Sequence, residues 1–315
     1  MADRIAMSRD FTVIVPVRNG GRRWVAAAEA LAAAVPAPAQ VIVIDSESSD
    51  GSDAVAARFG FTVERIAAAS FSHGGTRQAA LERHGGDRPF VVFLTHDAVL
   101  DEPGAIAALL GGFSDPQVGC AFGRQLPHAD ADPFARHFVA FNYPPLSTTR
   151  ALADAATLGI KAAYFSNSFA AYRVSDLRAA GGFPAHLIVG EDAHVAMRVL
   201  LAGRKVRYCA TARVRHSHNY RWPQDMRRYF DFGVMHAQIP ELLTRFGNPE
   251  GEGLRFLRSE LAFLARHQPA LLVTVPWREG MKYLGYRLGR AHAWLPRALK
   301  TRLSMTRGFW RAPGT

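Results

Sequence analysis

The chain has 315 residues, of which 49% are hydrophobic and 10% aromatic, so it can bury a large core and is not intrinsically disordered as a whole. Its two cysteines lie far apart without a CxxC spacing, which excludes a disulfide scaffold and a zinc ribbon and favours a reduced cytosolic protein. The formal net charge is +11, and nine Lys or Arg against one Glu give residues 278–311 a local net charge of +8.

Strand and helix patterns alternate along the first hundred residues. The apolar runs are short, rich in β-branched residues and closed by turn residues, which is typical of the buried strands of a parallel sheet. Segments of helical period separate them, so the βαβαβαβ order predicts a parallel sheet with right-handed crossovers. The predicted strands are 11–17, 40–46, 61–66 and 90–98, and the helices between them lie within 24–35, 48–60 and 76–85.

Polar side chains follow each of the four predicted strands. In open α/β sheets a ligand binds in the crevice beyond the carboxyl ends of the strands, so these residues are candidates for ligand binding. No GxGxxG fingerprint follows the first strand and no GxxxxGK[ST] loop occurs, which excludes a simple NAD site and a P-loop. Taken alone, each of these residues is also compatible with a solvated turn or a helix cap. The candidates are Pro16, Arg18 and Asn19, then Asp45, Ser46 and Asp50, then His73, Gly74 and Arg77, and last His96 and Asp97.

After about residue 120 the alternation ends, and short strands, helices and loops follow. Seven motifs occur in the order found in family 2 glycosyltransferases of the GT-A fold, and the chain most resembles the bacterial rhamnosyltransferases that use dTDP-L-rhamnose. The resemblance extends through the C-terminal residues, so it covers nearly the whole chain. Each motif alone is weak, and their common order makes the resemblance specific. The motifs are "VIVPVRNGG", "VIDSESSDGS", "FSHGGTRQ", "FLTHDA", "FSNSFAAYR", "GEDAHVAMRVLLAGRKVRY" and "VRHSHNYRW".

The resemblance implies a role for several of the candidate residues. Asp45 would accept a hydrogen bond from the pyrimidine N3–H, and the loop 16–19 would enclose the nucleoside. The glycines of "HGGTR" and Arg77, at a helix N-terminus, would bind phosphate oxygens. Asp192 would be the base that accepts the proton of the acceptor hydroxyl, with Glu191 as the alternative. Without the resemblance, helix capping would explain Asp45, and an ordinary acidic pair in a first helical turn would explain the other two carboxylates.

The resemblance also implies a divalent metal ion, Mg²⁺ or Mn²⁺, that bridges the two phosphates of the donor. In the family an Asp-x-Asp motif binds this ion, and Asp97 matches its second acid, whereas Thr95 stands in place of the first. His216 and His218 are two residues apart, so on an extended segment they share one face, and one of them can complete the metal site. Taken singly, each histidine is equally compatible with a structural role.

The expected architecture is an α/β protein of the GT-A fold. It comprises a Rossmann-like nucleotide-binding half on a mostly parallel central sheet, an acceptor-binding half and a C-terminal helical tail. A flexible N-terminus is expected at 1–9. The GT-A catalytic domain is expected at 10–245, with its nucleotide-sugar-binding half at 10–120 and its acceptor half at 121–245. A basic amphipathic helical region is expected at 246–315.

The basic C-terminal region has the pattern of a segment that lies on an anionic membrane surface. A helix packed on the main domain and a nucleic-acid-binding patch are the alternatives, but no nucleic-acid-binding motif accompanies the charge, so no nucleic acid partner is expected. No apolar stretch reaches the roughly 20 residues that span a bilayer, and "MADRIAMSRD" lacks the apolar core of a signal peptide. The expected location is therefore cytoplasmic and peripheral, at the inner membrane surface. The residues that form the membrane-surface pattern are Met281, Leu284 and Leu288 at helical spacing, followed by Trp294, Phe309 and Trp310.

Together these features predict an inverting glycosyltransferase of cell-surface glycan synthesis. The donor is predicted to be dTDP-L-rhamnose, and the acceptor a hydroxyl of a lipid-linked glycan or a polysaccharide. The residues "HNYRW" place His218 where processive synthases have Gln, which favours the addition of a single sugar. One alternative is a GT-A transferase for another UDP-, dTDP- or GDP-hexose. Another is a non-catalytic protein that binds membranes or nucleic acid on a degenerate scaffold, which the retention of Asp45, Asp97 and Asp192 disfavours.

Overall fold

A computed structural model describes residues 10–311, and the segment 1–9, expected to be flexible, lies outside the described residues. The four strands predicted in the first hundred residues are all present, and they pair in parallel. The fourth strand is shorter than predicted, because the chain turns after Leu94 and the Ala98 N–H donates to the Thr95 carbonyl oxygen at 3.0 Å. These elements are β1 (Phe11–Val17), α1 (Gly21–Ala34), β2 (Val41–Asp45), α2 (Ser52–Arg58), β3 (Thr62–Arg65), α3 (His73–His84) and β4 (Phe90–Leu94).

The following residues add strands of both directions to the same sheet. The added elements are β5 (Val99–Leu100), α4 (Ala105–Leu110), β6 (Val118–Leu126), α5 (Pro133–Asn142), β7 (Thr148–Arg150), α6 (Ala155–Leu158), β8 (Phe169–Arg173), α7 (Val174–Ala179), α8 (Glu191–Leu201) and β9 (Lys205–Arg215). The strand order is β3-β2-β1-β4-β8-β6-β9-β5, with β7 also on β9. Strand β8 runs antiparallel to β4 and to β6, whereas β6 and β9 are parallel. The sheet is therefore parallel through β1–β4 and mixed beyond them.

The central strands are buried on both faces of the sheet. Successive side chains of a strand point to opposite faces, and accordingly Ile14 of β1 belongs to one apolar cluster while Val13 and Val15 belong to the other. Trp24 of α1 covers the second cluster, and Tyr172 of β8 lies in the first. Because close-packed strands hold their ends rigidly, the polar residues at the carboxyl ends occupy fixed positions.

The C-terminal region is helical, as predicted, and it packs against the catalytic domain. The predicted acceptor half ends with α9 (Trp222–Gln238) and α10 (Pro240–Phe246), and the C-terminal region that follows contains α11 (Glu250–His267), α12 (Val275–Arg290) and α13 (Arg297–Leu303). Helix α12 approaches α9 so closely that a Cβ atom on Gly285 would lie 2.2 Å from the Met226 carbonyl oxygen. A Cβ atom on Gly289 would lie 2.0 Å from the Phe230 carbonyl oxygen. The alternative of a helix packed on the main domain is therefore correct for this face of α12.

The expected membrane-facing residues divide between the core and the surface. Trp310 was expected at a lipid surface, but it is only 2% exposed and lies against Phe230 and His292. Leu288 and Phe309 pack on the same core. Other apolar side chains remain on the surface, with Trp294 91%, Val273 80%, Trp277 61%, Trp222 46% and Leu284 45% exposed. Within residues 10–311, no helix has both the length and the hydrophobicity that crossing a bilayer requires.

Candidate active site

The carboxyl end of β2 carries a buried carboxylate with one unpaired oxygen. Asp45 is the last residue of β2 and is 2% exposed. Its Oδ2 accepts a hydrogen bond from the Ser48 N–H at 3.1 Å, whereas Oδ1 and the Ser46 hydroxyl have no hydrogen-bond partner within residues 10–311. Pro16 lies in the buried β1, and Arg18 is exposed in the loop that follows. Because an unpaired buried polar atom is costly, the two oxygens of Asp45 and Ser46 are suited to bind a donor group of a ligand.

Two of the predicted nucleotide-binding residues connect the loops after β1 and β2. Asn19 has a positive φ of 47°, and its Oδ1 accepts a hydrogen bond from the Ser49 N–H at 2.8 Å. Its own N–H donates to the Ser48 Oγ at 3.0 Å. The Asp50 Oδ2 accepts from the Gly21 N–H at 2.9 Å. Asn19 and Asp50 are both exposed, and their side chains hold the two loops together.

The predicted phosphate-binding loop at the start of α3 packs against the protein's own chain. A Cβ atom on Gly74 would lie 1.9 Å from the Pro184 carbonyl oxygen, so the glycine makes room for that carbonyl rather than for a phosphate. Arg77 is 4% exposed, and its Nη1 donates to the Glu191 Oε1 at 2.9 Å and to the His73 carbonyl oxygen at 3.0 Å. The expected phosphate contact is thus replaced by a buried ion pair. Burial lowers the pKa of the His73 imidazole, which lies beside this pair.

The two predicted acids differ in their surroundings. Gly190 has a φ of 81°, which glycine adopts readily, and α8 begins at Glu191. Glu191 is 5% exposed, and its Oε1 accepts from Arg77 and from the Asn167 Nδ2 at 3.1 Å. Asp192 is partly exposed, and its Oδ2 accepts from the Asn167 backbone N–H at 3.1 Å. Asn167 therefore fixes both carboxylates, and only Asp192 remains open to a substrate.

The electrostatic surroundings shift the pKa values of the two acids in opposite directions. Burial opposes ionisation of Glu191, but the charges of Arg77 and His73 and the hydrogen bond from Asn167 together outweigh it, so the pKa of Glu191 is lowered. Burial raises the pKa of Asp192 to about 7, and the charge of the neighbouring Glu191 adds to this rise. A carboxylate with a pKa near the working pH can accept a proton and release it again. Asp192 thus has both the access and the pKa of a general base, and Glu191 has neither.

Asp97 and two histidines meet although they are far apart in sequence. The His216 Nε2 lies 3.4 Å from the Asp97 Oδ1, and the His218 Nε2 lies 3.6 Å from the Asp97 Oδ2. Gln125, which is buried, accepts a hydrogen bond from the His216 Nδ1 at 3.0 Å through its Oε1. The His128 ring donates from Nε2 to the Asp97 carbonyl oxygen at 3.2 Å. The contact with Gln125 directs the other ring nitrogen of His216 at the carboxylate of Asp97.

This cluster has the composition of a divalent metal site. One ligand atom from each of Asp97, His216 and His218 lies within 4.8 Å of the others. Burial opposes ionisation of Asp97, but His216, His218 and His96 hold the pKa of its carboxyl well below the usual range. Burial lowers the pKa of His218 to about 3, so its imidazole is neutral. An ionised carboxylate and a neutral imidazole are ligand forms that a transition metal ion requires, and Asp97 and His218 have them.

The base and the metal cluster are brought together by neighbouring strands. Strand β8 pairs with β4, and the Thr95 N–H donates to the Ser168 carbonyl oxygen at 3.2 Å. The chain therefore leaves β4 toward Asp97 at the place where the segment that holds Asp192 enters β8. The sequence patterns did not single out Asn167, Gln125 or His128. The only signal for any of them was the position of Asn167 inside the motif "FSNSFAAYR".

Comparisons with known proteins identify relatives of this chain. The family model described as "Glycosyltransferase like family 2" matches residues 8–230. The chain is 42% identical over 301 residues to the O-antigen chain rhamnosyltransferase WbaN of Salmonella anatum, a match that covers 95% of each chain. It is 41% identical over 300 residues to the O-antigen chain rhamnosyltransferase RfbN of Salmonella typhimurium, again with 95% of each chain covered.

The fold is also found among solved structures. The mannosyltransferase PcManGT of Pyrobaculum calidifontis, solved in complex with GDP-Man and Mn²⁺, superposes with a TM-score of 0.55 and 18% identity. The match covers 95% of this chain and 85% of that one. At this identity the similarity shows the GT-A fold, as the sequence predicted, and nothing finer.

Proposed function

The chain belongs to glycosyltransferase family 2, and on this basis we propose that it transfers L-rhamnose from dTDP-L-rhamnose, with inversion, to a hydroxyl of a glycan acceptor in cell-surface polysaccharide synthesis. The two Salmonella relatives support the sugar, because both are named O-antigen chain rhamnosyltransferases and both match 95% of this chain. We assign the donor to residues 10–120 and the acceptor to 121–245. The observation that carries the mechanism is the accessible carboxylate of Asp192 beside the end of β4.

In this proposal Asp192 accepts the proton of the attacking acceptor hydroxyl. Asn167 holds the Asp192 carboxylate in place through its backbone N–H, and the residue as a whole is partly exposed. Glu191 raises the basicity of Asp192 by its negative charge, and Arg77 keeps Glu191 ionised. Glu191 and Arg77 therefore act as positioning residues, and the proton goes to Asp192.

The nucleoside of the donor binds at the carboxyl ends of β1 and β2. The unpaired Asp45 Oδ1 is suited to accept the N3–H of a pyrimidine, which thymine and uracil both present. The Ser46 hydroxyl supplies a second polar group at the same place. Asn19 and Asp50 hold the surrounding loops, as their hydrogen bonds to the backbone indicate.

Asp97, His216 and His218 would hold a divalent ion, Mn²⁺ or Mg²⁺, at the donor diphosphate. The mixed carboxylate and imidazole set suits Mn²⁺ at least as well as Mg²⁺. When bound there, such an ion neutralises the charge that develops on the departing nucleoside diphosphate. Gln125 orients His216 for this role from behind the ring.

We further propose that the protein works at the inner surface of the cytoplasmic membrane. Residues 278–311 carry a local net charge of +8, and each cation near an anionic lipid surface contributes on the order of 1 kcal/mol to binding. The exposed Val273 and Trp277 supply apolar groups at the start of α12. Aromatic side chains with a polar edge are favoured at such interfaces.

The function is tested by titrating donors and by one substitution. Calorimetry and nucleoside diphosphate release with dTDP-L-rhamnose, UDP-glucose and GDP-mannose are expected to favour dTDP-L-rhamnose. Asp192→Asn is expected to lower the rate about 10²- to 10⁴-fold while leaving donor affinity unchanged, because Asn cannot accept the proton. Normal turnover by Asp192→Asn would rule out the proposed base, and a preference for UDP-glucose or GDP-mannose would rule out the proposed donor.

A further inference from the structure

A cleft of about 640 Å³ opens between the end of β6, helix α5 and the end of α11. The loops that follow β1, β2 and β3, where we place the donor, contribute none of its lining residues. Gln125 lines its inner end, and the same side chain contacts His216 and donates from Nε2 to the Ser166 Oγ at 3.2 Å. Ser166 directly precedes Asn167, which binds Asp192. A molecule in this cleft therefore lies on the acceptor side of the reacting groups.

Two arginines in the cleft have no acidic partner. The Arg124 Nε donates to the Tyr143 carbonyl oxygen at 3.2 Å. The Arg136 Nε donates to the Ala131 carbonyl oxygen at 2.8 Å, and its Nη2 donates to the Ala129 carbonyl oxygen at 3.2 Å. Neither guanidinium forms an ion pair with a carboxylate of residues 10–311. Each keeps N–H donors free for an anion, and the guanidinium fork matches a phosphate group.

The rest of the cleft wall is largely apolar. Val139 and Ala140 of α5 and Phe263 of α11 line it, and Gln268 stands at its edge. The 3-10 segment Pro269–Thr274 begins at the next residue and carries Val273, one of the exposed apolar side chains assigned above to the membrane surface. The apolar wall thus leads from the two arginines toward the surface with Val273 that is assigned above to the membrane.

We propose that Arg124 and Arg136 form a second anion-binding subsite, separate from the donor diphosphate site, that binds the phosphate of a lipid-linked acceptor. The apolar wall takes the first part of the lipid chain, and the glycan attached to the phosphate reaches past Gln125 to Asp192. This inference rests on the proposed glycosyl transfer and selects a lipid phosphate over a free polysaccharide as the acceptor. Steering by two positive charges would also speed the encounter of an anionic acceptor with the cleft.

The test is calorimetric titration with geranyl phosphate, a short soluble lipid phosphate, on the full chain with dTDP and Mg²⁺ at saturation. Filling the donor site first confines the measured binding to the second site. Arg124→Gln and Arg136→Gln are each expected to weaken geranyl phosphate binding about tenfold, the usual effect of losing a charged hydrogen bond. Arg58→Gln, an exposed arginine of α2 outside the cleft, makes the same charge change and is expected to have no effect.

Separate readouts distinguish this inference from the proposed function. The affinity for dTDP is expected to be equal in the wild type and all three variants. If the wild type does not bind dTDP, the donor assignment is refuted, and the geranyl phosphate titration then tests the cleft by itself. Equal geranyl phosphate binding by wild type and both cleft variants would overturn the subsite. Binding of inorganic phosphate as tight as that of geranyl phosphate would overturn the lipid part of the proposal. Competition between geranyl phosphate and dTDP would place the phosphate in the donor site and overturn it too.

Discussion

The neighbouring acids Glu191 and Asp192 predict a specific pH dependence of kcat. Burial, with the charge of Glu191, raises the pKa of Asp192 to about 7. A base with that pKa is about 90% ionised at pH 8 and about 10% ionised at pH 6, so kcat is expected to fall roughly tenfold between these values. The active form is the ionised one, so the loss occurs as the pH falls.

The perturbation is Glu191→Gln, which removes the neighbouring charge while keeping an oxygen for Arg77 and Asn167. Without that charge the pKa of Asp192 falls, and the acidic limb of the kcat profile is expected to move to lower pH. Glu82→Gln, an exposed residue of α3, is the matched control and is expected to keep the wild-type profile. Glu191→Gln leaves the buried Arg77 without its charged partner, so thermal unfolding of each variant checks that this loss has not destabilised the protein.

The assay is the steady-state rate at saturating donor and Mn²⁺ from pH 5.5 to 8.5. The metal cluster does not distort the profile through His218, because burial lowers the pKa of His218 to about 3 and the ring stays neutral throughout. A kcat that is constant from pH 6 to 8 would refute the role of Asp192 as base. An unshifted limb in Glu191→Gln would refute the coupling between the two acids.

Four further results are expected. Chelation by EDTA should abolish transfer, and Mn²⁺ should restore it in the wild type but not in Asp97→Asn; full activity of a metal-free preparation would contradict the site. Asp45→Ala should raise the dissociation constant of dTDP while changing kcat little, because its contact is made in the ground state and the transition state alike, and an unchanged constant in calorimetry would exclude the base contact. Burial raises the pKa of Glu260, a residue of α11, to about 7, so the folded state favours its protonated form and the contribution of Glu260 to stability should fall as the pH rises from about 4.5 to 7. Urea unfolding of Glu260→Gln should therefore show a gain over the wild type that is about 2 kcal/mol larger at pH 8 than at pH 5, and parallel pH profiles of the two proteins would contradict it. Trp277→Ser should reduce co-sedimentation with anionic vesicles and leave dTDP affinity unchanged, and equal vesicle binding by the variant would exclude Trp277 from the membrane-binding surface.

Three of the four parallel strands, β1, β2 and β4, were predictable because each is a buried and largely apolar run. Residues 11–17 and 90–94 are buried on both faces, and such strands are visible in a sequence without knowledge of their neighbours. The position of the polar residues at the strand ends was also predictable, because parallel strands bring their carboxyl ends to one edge of the sheet. Asp45 and Asp97 lie where that reasoning placed them.

The contacts of those residues depended on segments far away in the chain. The sequence gives Gly74 and Arg77 the appearance of a phosphate loop, because a helix N-terminus with glycines is such a site when it faces solvent. Here the segment 184–191 covers it, and the partner of Arg77 is 114 residues distant. Trp310 is likewise buried by contact with a distant residue, Phe230 of α9, and its own sequence neighbourhood therefore indicated a surface residue.

The ion pair that replaces the expected phosphate contact explains why two adjacent acids can serve one reaction. If Glu191 and Asp192 stood alone at the start of α8, each would raise the pKa of the other, and either could take the proton. Arg77 stabilises the charge on Glu191 more than that on Asp192, because its guanidinium forms an ion pair with the Glu191 carboxylate and both groups are buried. The shared Asn167 then holds Asp192 beside a fixed negative charge, and this charge keeps the proton affinity of Asp192 high. In the proposed mechanism, helix α3 therefore determines through Arg77 which of the two acids is the base.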